Sequence, residues 1–222
     1  VDLAGRIAAN TSLPVIADGD DGYGNHLNIG RLIRELERAG LAGVHIEDQV
    51  FPKRCGHMAG KRLVAADAFV QKIKAAVDAR HDSDFTIIAR TDAIAVEGFE
   101  QAIERANLYA EVGADVVFVE APEDEDQAAA VPGAVTRPAL YNWCYGGKSP
   151  LLPAERVANM GYKFILFTDA LYAVSKCLIE LYDEIKKNGT YLGYAERMLP
   201  FDAFNELLDL DKVAALDDKY RD

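Results

Sequence analysis

Basic residues are in deficit across this 222-residue chain: 24 Lys and Arg stand against 36 Asp and Glu, a formal charge of −12 at pH 7. That balance speaks against a general binder of nucleic acid or of a membrane surface, since either needs a basic face toward phosphate. Cysteine is scarce as well. Cys55, Cys144 and Cys177 are odd in number and far apart, which argues against a disulfide framework and for a reducing compartment, the cytoplasm or else an organelle matrix. No apolar run reaches about 18 residues and no charged-then-apolar leader opens the sequence, so the chain reads as soluble. Internal repeats, low-complexity tracts and linkers are also lacking. With 50% hydrophobic residues, the chain is expected to form one α/β domain over 1–222.

Acid is missing from one stretch altogether. Between Asp48 and Asp67, in QVFPKRCGHMAGKRLV, the residues Lys53, Arg54, His57, Lys61 and Arg62 surround Cys55. Neighbouring cations lower the cost of a thiolate, so a thiol here is suited to exchange a proton near neutral pH. The stretch is long and contains Gly56 and Gly60, as a loop that closes over a site would.

What the sequence does have is a regular alternation. The short apolar runs LPVIADGD, AGVHIED, FTIIARTDA, ADVVFVEAP, RPALYNWC and YKFILFTD read as strands, and NIGRLIRELERAG, ADAFVQKIKAAVDAR, FEQAIERANLYAEVGA and PAERVANMG read as helices between them. Alternating elements imply parallel strands joined by crossover helices, and nearly continuous apolar strands imply cover on both faces. Six strands suffice for an open doubly wound sheet, whereas a TIM-like (β/α)8 barrel needs eight. The chain opens inside a helical pattern, VDLAGRIAAN, so the barrel reading expects two further strands before Val1. Extra helices follow the last strand. Those over about 183–222 carry Phe201, Phe204, Leu207 and Leu208 on one side, and are expected to pack on their own barrel or on a neighbouring subunit.

Chemistry in a parallel α/β fold gathers at the C-terminal ends of the strands. Here those ends carry Asp18 and Asp20, His45, Glu47 and Asp48, Arg90 and Asp92, Glu120, Asn142, then Thr168 and Asp169. Singly, each suits a helix cap or a loop ion pair, with Asp21 the better candidate to cap the next helix. Together they suggest an oxygen-rich cation site beside an anion clamp. Asp18 and Asp20 are two apart, which puts them on one face of an extended backbone, and Glu47 ends the next strand. Hard oxygen donors favour Mg²⁺, with Mn²⁺ the alternative, over Zn²⁺; His45 and His57 lack partners at zinc-ligand spacing. Arg90 ends an apolar strand, where its planar fork suits either a buried acid such as Glu120 or Asp92, or a substrate carboxylate.

The run PKRCGH after VHIEDQ, preceded by DGDDGYGN and followed by ARTDA and VFVEAP, resembles the isocitrate lyase/phosphoenolpyruvate mutase superfamily. The likeness extends from about Pro14 to Asp169 and is nearest to the short methylisocitrate lyase and dimethylmalate lyase type. It implies a modified β/α barrel that swaps its last helices between subunits, usually a homotetramer. It also implies Mg²⁺ held by Asp18, Asp20 and Glu47, some through water, and Cys55 as the catalytic acid/base. Arg90 and Glu120 match substrate-binding positions, and His45, Gly56, His57 and Asn142 match groups around the bound acid. The superfamily's Ser-Gly segment would precede Val1, which leaves the base for the substrate hydroxyl unassigned. The implied activity is cleavage of a C–C bond in a small 2-hydroxy di- or tricarboxylate resembling 2-methylisocitrate, giving a 2-oxo acid and a carboxylic acid. The alternatives are oxaloacetate hydrolysis or decarboxylation, phosphonopyruvate-type P–C chemistry, and a catalytically idle barrel kept for assembly. One departure bears on the substrate: where many lyases read Asn, two residues, then Glu-Gly-Gly-Lys, this chain reads NWCYGGKSP, with Tyr145 in the Glu place.

Overall fold

The computed structural model describes residues 1–221 of the chain. Two compact units form, Val1–Thr168 and the segment from Asp169 onward. The first runs α1 (Asp2–Ala8), β1 (Ile16–Asp18), α2 (His26–Arg38), β2 (Gly43–Glu47), α3 (Ala66–Ala79), β3 (Thr86–Thr91), α4 (Ile94–Glu97), α5 (Phe99–Glu111), β4 (Val116–Val119), α6 (Glu125–Ala134), β5 (Ala139–Trp143), α7 (Ala154–Asn159) and β6 (Phe164–Phe167). Each expected strand is present. The helix α6 was not expected, because its residues EDQAAAVPGA include an internal Pro132 and show no apolar stripe. The cap of α2 also differs from expectation. Asn25 takes that place, its Oδ1 accepting from the Leu27 N–H at 2.9 Å while its own N–H donates to Asn28 Oδ1 at 3.2 Å. Asp21 instead accepts from the Tyr23 N–H at 3.0 Å, inside a turn.

Strands pair in parallel and in chain order, β1 through β6. That order decides between the two architectures, because a doubly wound sheet reverses direction at a switch point and this one does not. The sheet is a curled half-barrel of six strands in a TIM-like α/β fold. On its helix side, Val44, Ile46, Ile87 and Ala89 pack with Ile29, Ile33, Phe69 and Ile73, while Val117, Val119 and Tyr141 pack with Ala102, Ala106 and Val157. The other face carries a smaller apolar floor of Ile88, Val116, Phe118 and Leu140.

Strand alternation then places the chemistry. Asp18 lies opposite His45, Glu47 opposite Arg90, and Arg90 opposite Phe118, so Asp18, His45, Glu47, Arg90, Glu120 and Asn142 share the floor side. Asp48 and Thr91, one residue out of step, turn toward the helices.

The second unit contains α8 (Ala170–Asn188), a 3₁₀ turn (Leu192–Arg197), α9 (Phe201–Leu207) and α10 (Leu210–Tyr220). Gly189 ends α8 in the left-handed conformation, at φ 67°. The last amphipathic stretch, expected to be continuous, breaks at Asp209, which has φ 55°. Among the described residues no helix is long and apolar enough to cross a membrane.

Candidate active site

Beyond β1 the chain turns sharply. Gly19 N–H donates to the His45 carbonyl at 2.8 Å, and a Cβ on Gly19 would stand 2.8 Å from Val44 Cγ2, so the turn lies directly on β2. Asp20 follows with φ 47°, its N–H donating to Asp18 Oδ1 at 2.9 Å. Asp18 and Asp20 are therefore not aligned by an extended backbone as the spacing suggested. The turn brings them to the same rim by folding back. Burial pushes the Asp18 carboxyl up, but His45, whose Nε2 stands 3.0 Å away, together with the Asp20 N–H and Lys53, holds it well below the usual carboxylate range.

The cysteine loop leaves β2 and returns through a bridge between Gln49 and Leu63. The Gln49 side chain spans its interior, donating to the Arg54 carbonyl at 2.8 Å and accepting from the Arg54 N–H at 3.0 Å. Cys55 is exposed. The cations expected to serve its thiol face rim acids instead. Lys53 Nζ lies 2.7 Å from Asp20 Oδ1 and 3.6 Å from Glu47 Oε1, His57 Nε2 lies 3.0 Å from Glu120 Oε1, and Lys61 Nζ lies 3.6 Å from Asp92 Oδ1. The physical reason is the cost of buried carboxylates, which need countercharge that the rest of the acidic chain does not supply.

Arg90 stands at the centre. It donates from Nε to Asp92 Oδ2 and from Nη2 to Asp92 Oδ1, both at 3.1 Å, and lies 3.4 Å from Glu47 Oε2 and 3.8 Å from Glu120 Oε1. Its guanidinium sits 5.0 Å from the Phe118 ring centre. Burial alone would lower the Arg90 pKa, but Glu120, Asp92 and Glu47 more than reverse this and raise it. Glu120 is likewise pushed up by burial and brought down by Arg90, His57 and Asn142, whose Nδ2 donates to both of its oxygens at 3.1 and 3.3 Å. The Lys148 N–H donates to His57 Nδ1 at 2.9 Å, so the ring proton sits on Nε2, facing Glu120.

Gly56 shows how tightly the loop sits on this group. A Cβ there would stand 2.4 Å from Glu120 Cγ and 2.5 Å from Arg90 Nη2. Thus the loop glycine and histidine, Arg90, Glu120 and Asn142 converge, with Asp18, Asp20, His45 and Glu47 adjoining. Lys53, Lys61 and Asp92 belong to the same constellation; in the sequence the two lysines stood out only as neighbours of Cys55, and Asp92 only as a strand-end acid that could pair with Arg90. Their only signal was charge at a strand end or in the loop. Asp48 takes no part on that side. It accepts from Thr91 Oγ1 at 2.7 Å, Tyr109 OH at 2.8 Å, the Asp92 N–H at 3.0 Å and Arg105 Nη1 at 3.3 Å, anchoring β2 and β3 to α5.

Both Glu47 oxygens are buried and accept no hydrogen bond among the described residues. Burial, helped by Asp92 and Asp18 and opposed by Arg90 and Lys53, pushes its carboxyl from 4.5 up to about 7. Unsatisfied hard oxygens of this kind suit a hydrated dication. Among the described residues no three His, Cys, Asp or Glu side chains converge closely enough to ligate one ion directly. Glu47 is thus the residue whose chemistry fits such an ion, and Lys53 Nζ, 2.7 Å from Asp20 Oδ1 and 3.6 Å from Glu47 Oε1, lies between the two carboxylates.

The family model described as phosphoenolpyruvate phosphomutase matches residues 1–183. The chain belongs to the phosphoenolpyruvate phosphomutase family. It is an enzyme of a superfamily of lyases and mutases. The chain is 39% identical to 2,3-dimethylmalate lyase of Eubacterium barkeri over 98% of its own length and 75% of the relative's. A probable 2-methylisocitrate lyase of Corynebacterium glutamicum is 42% identical over 96% of this chain and 69% of the relative. The structure of oxaloacetate acetylhydrolase with the inhibitor 3,3-difluorooxalacetate superposes with a TM-score of 0.91 at 35% identity, covering 98% of this chain and 75% of that one. The barrel architecture and superfamily membership expected from the motifs are both found.

Proposed function

We infer that this family member cleaves a C–C bond in a small 2-hydroxy di- or tricarboxylate of the 2-methylisocitrate or dimethylmalate kind. The observation that carries the reading is the seat of Gly56, the residue after Cys55, against Arg90 and Glu120; on this reading the Cys55 thiol reaches the acid bound there. Mg²⁺, held by Glu47 with Asp18 and Asp20 through water, would supply Lewis-acid stabilisation of the 2-oxo acid as it forms. Arg90, whose Nε and Nη2 are held by Asp92, attracts a substrate carboxylate with its remaining guanidinium nitrogen, and Asn142 and His57 orient the acid around Glu120. A general base, to which no described residue is assigned, takes the hydroxyl proton; the oxygen's electrons form the 2-oxo carbonyl as the C–C bond breaks, and that bond's pair delocalises into the second carboxylate. Cys55 then delivers the thiol proton to that carbon, and the loop keeps water out. His45 holds Asp18 in place.

Among the described residues after Thr168 only Tyr194 is buried, and these helices carry an apolar groove of about 580 Å³ lined by Leu178, Leu181, Tyr191, Met198, Phe201 and Phe204. This supports a homotetramer in which these helices are exchanged between subunits. Cys55, Cys144 and Cys177 form no disulfide, which suits the cytoplasm.

Release of 2-oxo acid from 2-methylisocitrate, isocitrate, dimethylmalate, citramalate and oxaloacetate, measured with Mg²⁺ for the native chain and Cys55→Ser, tests the reading. Glyoxylate or pyruvate should appear only when Cys55 is present, while Cys55→Ser keeps Mg²⁺-dependent stabilisation. Near-normal turnover by Cys55→Ser would remove the thiol from the mechanism. Tyr145 in the usual Glu place, and the likeness to oxaloacetate acetylhydrolase, favour oxaloacetate as the second substrate to try.

A further inference from the structure

Lys61 is almost completely enclosed, its side chain 1% exposed, and it sits across the loop from Cys55. Its ammonium donates to the Gly56 carbonyl, the peptide next to Cys55, and faces Asp92 Oδ1 at 3.6 Å. The Asp92 carboxylate is itself fully buried and uses both oxygens to fork Arg90. A buried ammonium is costly unless its partners are fixed, and an apolar side chain would close the loop interior at lower cost. What an apolar side chain would not do is tie the loop's peptide to the acid that orients Arg90.

We propose that Lys61 is a positioning residue whose ammonium, through Gly56 O and Asp92, holds the Gly56–His57 peptide, and with it the adjacent Cys55, in register with Arg90. This rests on the reading of Cys55 and Arg90 given above for its kinetic consequence, but not for its structural one. The loop's base is closed by the Gln49–Leu63 bridge and its middle by the Gln49 side chain, whereas the Gly56 end is tied to the rim by Lys61 and His57. Removing Lys61 therefore frees the segment that carries Cys55 while leaving the base intact.

The test compares the full chain with Lys61→Met, Asp92→Asn and the double variant, in two measurements. The first is tryptic cleavage after Arg54, read by mass spectrometry, which needs local opening of the loop and no substrate. Lys61→Met should speed this cut by about 10-fold, with cleavage outside residues 49–63 unchanged. Lys61→Gln, which keeps a donor for the Gly56 carbonyl but no charge, should fall between. The second is turnover: kcat should drop by about 100-fold in Lys61→Met, with KM altered far less, because Arg90 still binds the carboxylate while the acid is misplaced. The two substitutions should be strongly non-additive in the double variant. Unchanged cleavage after Arg54 in Lys61→Met, or strictly additive effects, would overturn the proposal. Faster cleavage at every site alike would also overturn it, since that marks general destabilisation. If Cys55→Ser proves active, the cleavage measurement still decides whether Lys61 holds the loop.

Discussion

The Lys148 amide donates to His57 Nδ1 at 2.9 Å, joining the cysteine loop after β2 to the turn after β5. The two segments lie 91 residues apart in sequence, and the bond sets which imidazole nitrogen faces Glu120. Gly147 permits the approach, since a Cβ there would stand 2.7 Å from His57 Nδ1. Gly147→Ala should therefore displace the ring and lower kcat/KM by about 10-fold while changing Tm little. An unchanged pH–rate profile and unchanged kcat/KM would show that the ring's seat is not needed.

Gly56→Ala should act more severely. Its Cβ would meet Glu120 and Arg90 at about 2.4–2.5 Å, and neither can move without breaking the buried charge group. The expected result is a loss of about 100-fold in kcat/KM with a native circular dichroism spectrum, because the loop can lift off without unfolding the barrel. Full activity would mean that the seated loop is not the working arrangement.

Glu47 makes a pH prediction. Its folded pKa is raised from 4.5 to about 7, so the folded state holds this proton more tightly than the unfolded chain does. Its contribution to stability is thus greatest in acid, is lost as the pH rises from 4.5 to about 7, and is flat above that. The loss is on the order of 3 kcal/mol. Glu47→Gln should raise Tm by at least about 3 °C at pH 8 in EDTA, and should lose the further rise that Mg²⁺ gives the native chain. A lower Tm in EDTA would mean that Arg90 and Lys53 already compensate the carboxylate.

Asp48 predicts the opposite behaviour. Asp48→Ala leaves Thr91 and Tyr109 hydroxyls, the Asp92 N–H and one Arg105 nitrogen without their buried acceptor, and should cost roughly 3–5 kcal/mol in urea unfolding. Tyr109→Phe removes the hydroxyl's two hydrogen bonds, to Asp48 and from Arg105, but leaves the carboxylate its other donors and keeps the ring against Phe69, with centroids 4.7 Å apart, and should cost less, about 1–2 kcal/mol. Equal costs would show that packing, not the carboxylate, holds α5 to the sheet.

Much of this molecule was open to reading before any coordinates. The six strands were legible because each is a short apolar run bounded by polar residues, and Asp18, Glu47, Arg90, Glu120 and Asn142 because a parallel fold puts strand ends on one rim. Cys55 stood out by its basic surroundings in an acidic chain. The meaning of those surroundings was not legible. Lys53, His57 and Lys61 are adjacent to the thiol in sequence, yet their partners are Asp20, Glu120 and Asp92, supplied by the turn after β1 and the ends of β4 and β3. Local sequence shows which charges are neighbours along the chain. It does not show which buried acid lacks a counterion, because that depends on how the loop folds back across the sheet. Asp48 and Glu47 make the same point one residue apart. Composition and spacing determined the strands, their parallel direction and the strand-end residues of the rim, while the order β1 through β6 was decided in the folded sheet. Tertiary structure decided that Glu47 faces the site and Asp48 the helices, and that the basic loop neutralises an acidic rim, because strand alternation and desolvation act on three-dimensional neighbours.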